Sequence, residues 1–197
     1  MKFLTIGLGV LSCLGTLGTF YFGWKTVLLQ RLRNSLTWKD IESGSLFLLR
    51  EAEKRFRPEV LLTTSGPGAI VANLAMSQAR RFYPIYTIML EDKRSGAFKL
   101  KPKGHVELST HKWLIHLPEQ LCQEVNKRVL IMDDCVMSGD VQAAICGFLE
   151  TKGFPRKNIF FATLVCSQIA SETKKAPNLH WHLNPHKDLF FPWGRWF

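Results

Sequence analysis

The chain has 197 residues, of which 46% are hydrophobic and 21% are charged, and its formal net charge is +10 at pH 7. This composition excludes a disordered chain and is typical of one folded domain with an appendage. The surplus of positive charge favours an anionic partner, namely a phosphorylated metabolite, a nucleic acid or an acidic lipid surface.

The first predicted element is an uncharged segment, Phe3–Trp24, rich in leucine, glycine and phenylalanine. As a helix it would cover roughly 30 Å, the thickness of a hydrocarbon core. Basic residues follow this segment, so the positive-inside rule places the rest of the chain in the cytoplasm. We therefore expect residues 1–24 to form a single-pass transmembrane anchor and residues 25–36 a basic juxtamembrane linker. A cleaved signal peptide and a buried core helix are the alternatives.

Helices and strands alternate through the remaining residues, 37–197. An apolar stripe at helical spacing starts near Thr37 and reaches Phe56, and an apolar strand at 60–62 ends in a glycine-rich turn at 63–68. A helix is predicted at 69–80 and a strand at 85–90. The polar stretch 91–104 and two strand-like segments, 106–108 and 113–116, predict a hairpin excursion with a functional or disordered loop.

The clearest unit lies between Arg128 and Gly153. Four apolar residues, 129–132, predict a short buried strand, followed by a turn from Asp133 to Gly139 and a helix over 140–151. A further apolar strand is predicted at 159–166. This alternation predicts an α/β fold with an open parallel sheet and right-handed crossovers. Ligands of such sheets bind beyond the carboxyl ends of the strands, where both glycine-bearing turns would lie.

The turn after the predicted strand 129–132 carries residues suited to a phosphorylated sugar. Paired carboxylates, Asp133 and Asp134, suit a diol or a hard cation. Backbone N–H groups at a turn that opens a helix bind anions, Ser138 adds a hydroxyl, and Gly139 permits close approach of a phosphate.

The stretch VLIMDDCVMSGDV, residues 129–141, resembles the signature of the type I phosphoribosyltransferases. The resemblance implies that Asp133 and Asp134 hold the ribose hydroxyls of phosphoribosyl pyrophosphate, directly or through Mg²⁺. It also implies a 5′-phosphate loop formed by Met137, Ser138, Gly139, Asp140 and Val141.

Two further stretches extend the resemblance over most of residues 38–197. EVLLTTSGPGAIVANLA is similar to the strand, turn and helix that bind pyrophosphate in this family. The C-terminal LFFPWG is similar to the ending of some guanine and xanthine phosphoribosyltransferases, which implies a C-terminal hood at about 176–197 over the base. The pyrophosphate turn would consist of Ser65, Gly66, Pro67 and Gly68. The residues implied to stack on the base are Phe190, Phe191 and Trp193, with packing as the alternative.

The family also has a catalytic flap, and the polar loop offers Lys99, Lys101 and Lys103 for that role. A solvated basic loop is the alternative reading of these lysines.

Several positions depart from the family pattern. Met137 stands where purine-salvage members have an aspartate placed as a general base, and Met137 cannot take up a proton. Val141 replaces a common threonine hydroxyl donor, and Asp140 adds negative charge beside the phosphate site. In the pyrophosphate turn, Gly66 replaces a basic residue and Pro67 has no N–H. No catalytic base is therefore predicted.

The histidines and cysteines give weaker indications. His180, His182 and His186 have spacing that could bind zinc, but no fourth ligand lies nearby in the sequence, so surface histidines are expected. The five cysteines are scattered and form no C-x-x-C pair. This pattern argues against a zinc site or a disulfide framework and indicates a reducing compartment.

The resemblance implies a Mg²⁺-dependent enzyme that transfers phosphoribosyl from phosphoribosyl pyrophosphate to a nucleobase-type acceptor, and the expected anchor places this enzyme at the membrane. The alternative is a catalytically weak membrane effector that senses a nucleotide or nucleic acid, as in antiviral defence systems such as retrons. A third hypothesis is a nucleic-acid-binding protein with a reused fold. A protein partner is compatible with each hypothesis, and neither the acceptor base nor the oligomeric state is predicted.

Overall fold

The structure is a computed structural model that describes residues 21, 23–26, 35–64, 66–93, 102–185 and 189–196. Most of the predicted anchor and linker lies outside these residues, as do Ser65, Lys99, Lys101 and His186. Within the described ranges, no helix is both long and apolar enough to cross a membrane.

A seven-stranded sheet forms the centre of the structure, in the order β3-β4-β2-β1-β5-β6-β7. Its strands are β1 (Val60–Thr64), β2 (Ile85–Asp92), β3 (His105–Ser109), β4 (Trp113–Pro118), β5 (Val129–Val136), β6 (Ile159–Ser167) and β7 (Leu179–Asn184). Strands β2, β1, β5, β6 and β7 are parallel. The expected hairpin is confirmed as β3–β4, but it joins β2 antiparallel, so the sheet is mixed where a parallel one was predicted.

Helix α1 (Trp38–Arg55) precedes β1, and the crossover connections carry α2 (Pro67–Ser77), α3 (Asp140–Thr151) and the short α4 (Gln168–Glu172). Two 3₁₀ turns occupy Glu119–Gln123 and Arg156–Asn158. Helix α1 follows the predicted apolar stripe and packs tightly on the sheet. A Cβ added at Gly44 would lie 2.7 Å from Leu164 Cδ2 and 2.9 Å from the ring of Trp181, so this glycine permits the contact.

The core consists of apolar side chains on both faces of the central parallel strands. All of β1 and the first five residues of β5 are buried, which matches their unbroken apolar sequences. The predicted turn starting at Asp133 is wrong in its boundary. Strand β5 continues to Val136 because Asp133, Cys135 and Val136 pair with Thr163, Val165 and Cys166 of β6.

Contacts divide the chain into two units, Trp38–Lys187 and Met1–Thr37 with Asp188–Phe197. In the second unit, strands β8 (Leu189–Phe191) and β9 (Gly194–Trp196) form an antiparallel hairpin. The N–H of Leu36 donates to the carbonyl of Phe190 at 2.8 Å. The boundaries predicted for the linker and the hood remain predictions.

Candidate functional site

The two glycine-bearing turns lie side by side because β1 and β5 are parallel neighbours, with Thr63 opposite Met132. Their contact is a hydrogen bond in which Thr64 Oγ1 donates to Asp133 Oδ1 at 2.5 Å. Both side chains are buried. The first acid of the predicted sugar site is thus held in one orientation by a residue of the predicted pyrophosphate strand.

Gly68 lets α2 begin directly against this pair. A Cβ at Gly68 would lie 2.1 Å from Thr64 Oγ1 and 2.8 Å from Asp133 Oδ1, distances that no side chain tolerates. Pro67 is the first residue of α2, where a missing N–H costs no helical hydrogen bond. Gly66 is exposed and has a φ of 73°, which an L residue adopts only with strain. The pyrophosphate role of this turn stays a prediction.

The two acids form a crowded pair near the end of β5. Asp133 is buried and Asp134 is half-buried, and the N–H of Asp134 donates to Asp133 Oδ1 at 2.9 Å. Burial, followed by the charge of Asp134, raises the pKa of Asp133 well above its usual range. Burial also raises the pKa of Asp134. Burial and mutual repulsion disfavour the ionised forms of the two carboxyl groups. A bound cation would reduce that repulsion.

This arrangement fits Mg²⁺, which commonly uses one or two carboxylates and completes its shell with water and substrate phosphates. Among the residues that the structure describes, no three His, Cys, Asp or Glu side chains are grouped to enclose a metal ion. A cation held by Asp133 and Asp134 would therefore take its other ligands from substrate and water.

The predicted phosphate loop opens helix α3. Gly139 precedes the helix with a left-handed φ of 75°, and Ser138 Oγ donates to Asp140 Oδ2 at 2.9 Å. Ser167 Oγ donates to the carbonyl of Met137 and so anchors the loop to the end of β6. Val141 packs against the apolar core, which explains an apolar residue at this position. The first N–H groups of a helix have no partner within the helix, which makes this loop suited to an anion.

Lys175 compensates the charge that Asp140 adds to this loop. Its Nζ donates to Asp140 Oδ1 at 2.5 Å. The pKa of Asp140 is lowered, first by this contact and then by the hydrogen bond from Ser138. A Cβ at Gly139 would lie 2.5 Å from the carbonyl oxygen of Lys175, so the glycine lets the segment around Lys175 pack on the loop.

The remaining predicted site residues belong to other segments of the chain. Lys103 is exposed. His180 and His182 lie two residues apart on β7. In the second unit, Phe191 is buried and its ring stacks on that of Trp193 with a centroid distance of 4.9 Å. Base stacking by Phe190, Phe191 and Trp193 stays a prediction.

Sequence reasoning missed three residues that organise the site: Thr64, Ser167 and Lys175. Thr64 stands among polar residues of a glycine-rich turn, where nothing distinguishes it from its neighbours. Ser167 also caps α4, since its Oγ accepts from the N–H of Ala170 at 3.1 Å, and a serine after an apolar strand is a usual capping signal. Lys175 lies 35 positions after Asp140, and no local pattern connects them.

The comparisons with known proteins show a similarity in fold only. No family model matches the sequence, and no curated protein matches it. A purine phosphoribosyltransferase from Pyrococcus horikoshii has a similar structure, with a TM-score of 0.57 and 20% identity over 83% of this chain and 94% of that one. For a xanthine-guanine-hypoxanthine phosphoribosyltransferase of Helicobacter pylori the TM-score is 0.56, with 19% identity over 82% and 93%. An APRTase from Giardia lamblia gives 0.55, with 15% identity over 74% and 80%. The predicted type I phosphoribosyltransferase fold is confirmed.

Proposed function

We propose that this protein binds phosphoribosyl pyrophosphate with Mg²⁺ and transfers its phosphoribosyl group to a nucleobase-type acceptor. The observation that carries the proposal is the hydrogen bond from Thr64 to the buried Asp133, at 2.5 Å. It brings a rigid carboxylate pair next to a helix N-terminus, and these are the two features that a phosphorylated ribose requires. The similar solved structures named above, all phosphoribosyltransferases, support the same proposal.

Each part of the site has a chemical role in this proposal. Asp133 and Asp134 orient the ribose hydroxyls and hold Mg²⁺, whose charge would offset that of the departing pyrophosphate. The N–H groups of residues 138–141 and the hydroxyl of Ser138 bind the 5′-phosphate. Positioning and electrostatic stabilisation then supply most of the catalysis, because the transition state resembles an oxocarbenium ion.

The direct test is calorimetric titration of phosphoribosyl pyrophosphate into the full chain, with Mg²⁺ and then with EDTA. We expect saturable binding with Mg²⁺ and markedly weaker binding with EDTA, because the carboxylate pair repels an anion without a cation between them. A folded protein that binds nothing under either condition would contradict the proposal.

Lys175→Gln is expected to weaken phosphoribosyl pyrophosphate binding about fivefold, the effect of a partly exposed charge pair. The variant leaves Asp140 uncompensated beside the incoming phosphate. The double variant Lys175→Gln/Asp140→Asn removes both charges and should regain most of the affinity. Calorimetry on the three proteins checks this, and equal affinity of wild type and Lys175→Gln would show that the ion pair plays no part in binding.

A second candidate function is a binding protein that senses a phosphorylated nucleotide at the membrane without efficient catalysis. The observation in its favour is Met137, whose apolar side chain is 38% exposed where the resemblance places a carboxylate. A screen of nucleobases for pyrophosphate release distinguishes the candidates. Release with one base supports the transferase, whereas tight binding without release by any base supports the sensor.

Attachment through residues 3–24, with the remaining chain in the cytoplasm, is part of both proposals.

A further inference from the structure

A groove of 440 Å³ lies between α1 and the segment that follows α2. Its lining includes Leu46, Leu49, Arg50, Glu53, Lys54 and Arg80. The segment after α2 leads to Ile85, the first residue of β2, which pairs with Leu61 near the start of β1. The groove thus includes the chain that enters the amino end of the sheet, whereas the candidate site occupies the carboxyl ends of the strands.

The groove is positively charged. Arg50, Lys54 and Arg80 are exposed cations, and Glu53 is the one acid in the lining. The Glu53 carboxylate accepts a hydrogen bond from Tyr83 Oη at 2.7 Å. Within the described part of the chain, the side chains of Arg50 and Arg80 have no hydrogen-bond or ion-pair partner. Two guanidinium groups beside an apolar floor are therefore available to an anion, and arginine suits phosphate oxygens well.

An exposed aromatic residue, Phe82, follows the lining residue Arg80 by two positions. Phe82 is 83% exposed, although the next residue, Tyr83, is 2% exposed. Tyr83 is held by its hydrogen bond to Glu53, and the Arg81 guanidinium lies over the Tyr83 ring at 5.5 Å from its centroid. With its neighbour fixed in the core, Phe82 is kept on the outside.

A second aromatic residue shares the groove side of α1. Phe47 is 39% exposed and precedes Arg50 by three residues and Lys54 by seven, so the three occupy one face of the helix. Exposed phenylalanines among arginines and lysines are typical of surfaces that lie in the interfacial layer of a membrane.

We propose that this surface docks the folded domain on a bilayer containing anionic phospholipid, with a headgroup phosphate bound by Arg50 and Arg80. Phe82 then enters the boundary between headgroups and acyl chains. The apolar floor formed by Leu46 and Leu49 favours a lipid over a nucleic acid, which would need a row of cations along its backbone. The inference uses residues of the Trp38–Lys187 unit only, and it depends neither on the predicted anchor nor on the proposed catalysis.

The experiment is hydrogen–deuterium exchange of the full chain in nanodiscs, one set of phosphatidylcholine alone and one containing phosphatidylglycerol. Because the comparison is local, an anchor in residues 1–24 affects both sets equally. We expect peptides covering 46–54 and 78–84 to exchange more slowly in the anionic discs. Arg80→Gln should reduce that protection about fivefold, as for one basic residue near an anionic surface, and Phe82→Ser should reduce it further.

Lys157→Gln removes one exposed positive charge elsewhere in the unit and serves as the matched control, with protection unchanged. Phosphoribosyl pyrophosphate binding should be the same in all three variants, which separates this inference from the proposed function. Equal exchange in the two kinds of disc would overturn the proposal. Protection of the same peptides by an oligonucleotide and not by anionic lipid would also overturn it, in favour of a nucleic-acid surface.

Discussion

Asp133→Asn is expected to abolish Mg²⁺-dependent binding of phosphoribosyl pyrophosphate while raising the free energy of unfolding at neutral pH by about 1–2 kcal/mol. The gain in stability arises because the wild type buries a carboxylate beside a second one. Asparagine keeps an oxygen that can accept from Thr64 Oγ1 and from the N–H of Asp134, the two hydrogen bonds that Asp133 Oδ1 receives. It removes the charge that would bind Mg²⁺.

The gain in stability of Asp133→Asn should depend on pH, because Asp133 titrates and asparagine does not. Burial raises the pKa of Asp133 above its unfolded value, so the folded state holds the proton more tightly. The wild type is therefore most stabilised by this group below the unfolded pKa, and loses that contribution as pH rises through the folded pKa. Asp133→Asn lacks this dependence. The difference in free energy of unfolding between Asp133→Asn and the wild type should be largest at neutral pH. It should shrink as the pH falls toward the pKa that Asp133 has in the unfolded chain.

Urea unfolding at several pH values measures the stability, and calorimetry measures the binding. Glu150→Gln is the control, because Glu150 is an exposed acid on α3 whose partner is Arg156, at 3.3 Å. That variant should change neither quantity appreciably. An Asp133→Asn protein that is less stable than the wild type and still binds the ligand would show that Asp133 serves the fold and not the ligand.

Gly68→Ala is expected to destabilise the protein by about 2–4 kcal/mol, the combined cost of overpacking and of a disrupted buried hydrogen bond. The new methyl group would lie 2.1 Å from Thr64 Oγ1 and 2.8 Å from Asp133 Oδ1. Either α2 moves away from the sheet or the bond between these side chains breaks. The first outcome displaces the turn at Gly66–Gly68 and the second releases Asp133, so ligand binding should be lost as well.

Gly147→Ala is the matched control, since it also adds one methyl group to a helical glycine. Among the described residues, apart from the neighbouring residues and backbone of α3 itself, no heavy atom lies within 4 Å of the position of that methyl. Helix propensity then predicts a gain of about 0.5–1 kcal/mol. Adding Thr64→Ala to Gly68→Ala removes the nearest contact, and the double variant should lose less than the sum of the two single losses. If Gly68→Ala unfolds at the same urea concentration as the wild type, the packing of α2 on this pair is not what stabilises the site.

Much of the fold could be predicted because its signals are local. The buried strands β1, β5 and β6 are short apolar runs bounded by turn residues, and α1 and α3 have helical apolar spacing. Strand β7 was not predicted, since His180 and His182 gave its sequence a polar character. It forms as an edge strand because β6 supplies its backbone partners. The extension of β5 to Val136 has the same cause, since pairing with β6 carries the strand through two acidic residues.

In the candidate site, too, the features with a local sequence signal could be predicted, and those that depend on long-range contacts could not. The sequence by itself determined where the candidate residues stand, and it predicted their chemistry: two acids, a serine and a glycine at the start of a helix, and a second turn with glycines. Only the tertiary structure decided that Thr64 orients Asp133, that Gly68 is required by their closeness, and that Lys175 compensates Asp140. Those contacts join residues 69 and 35 positions apart. These contacts depend on strand order and on the path of the chain after β6. Neither can be predicted from a local sequence pattern.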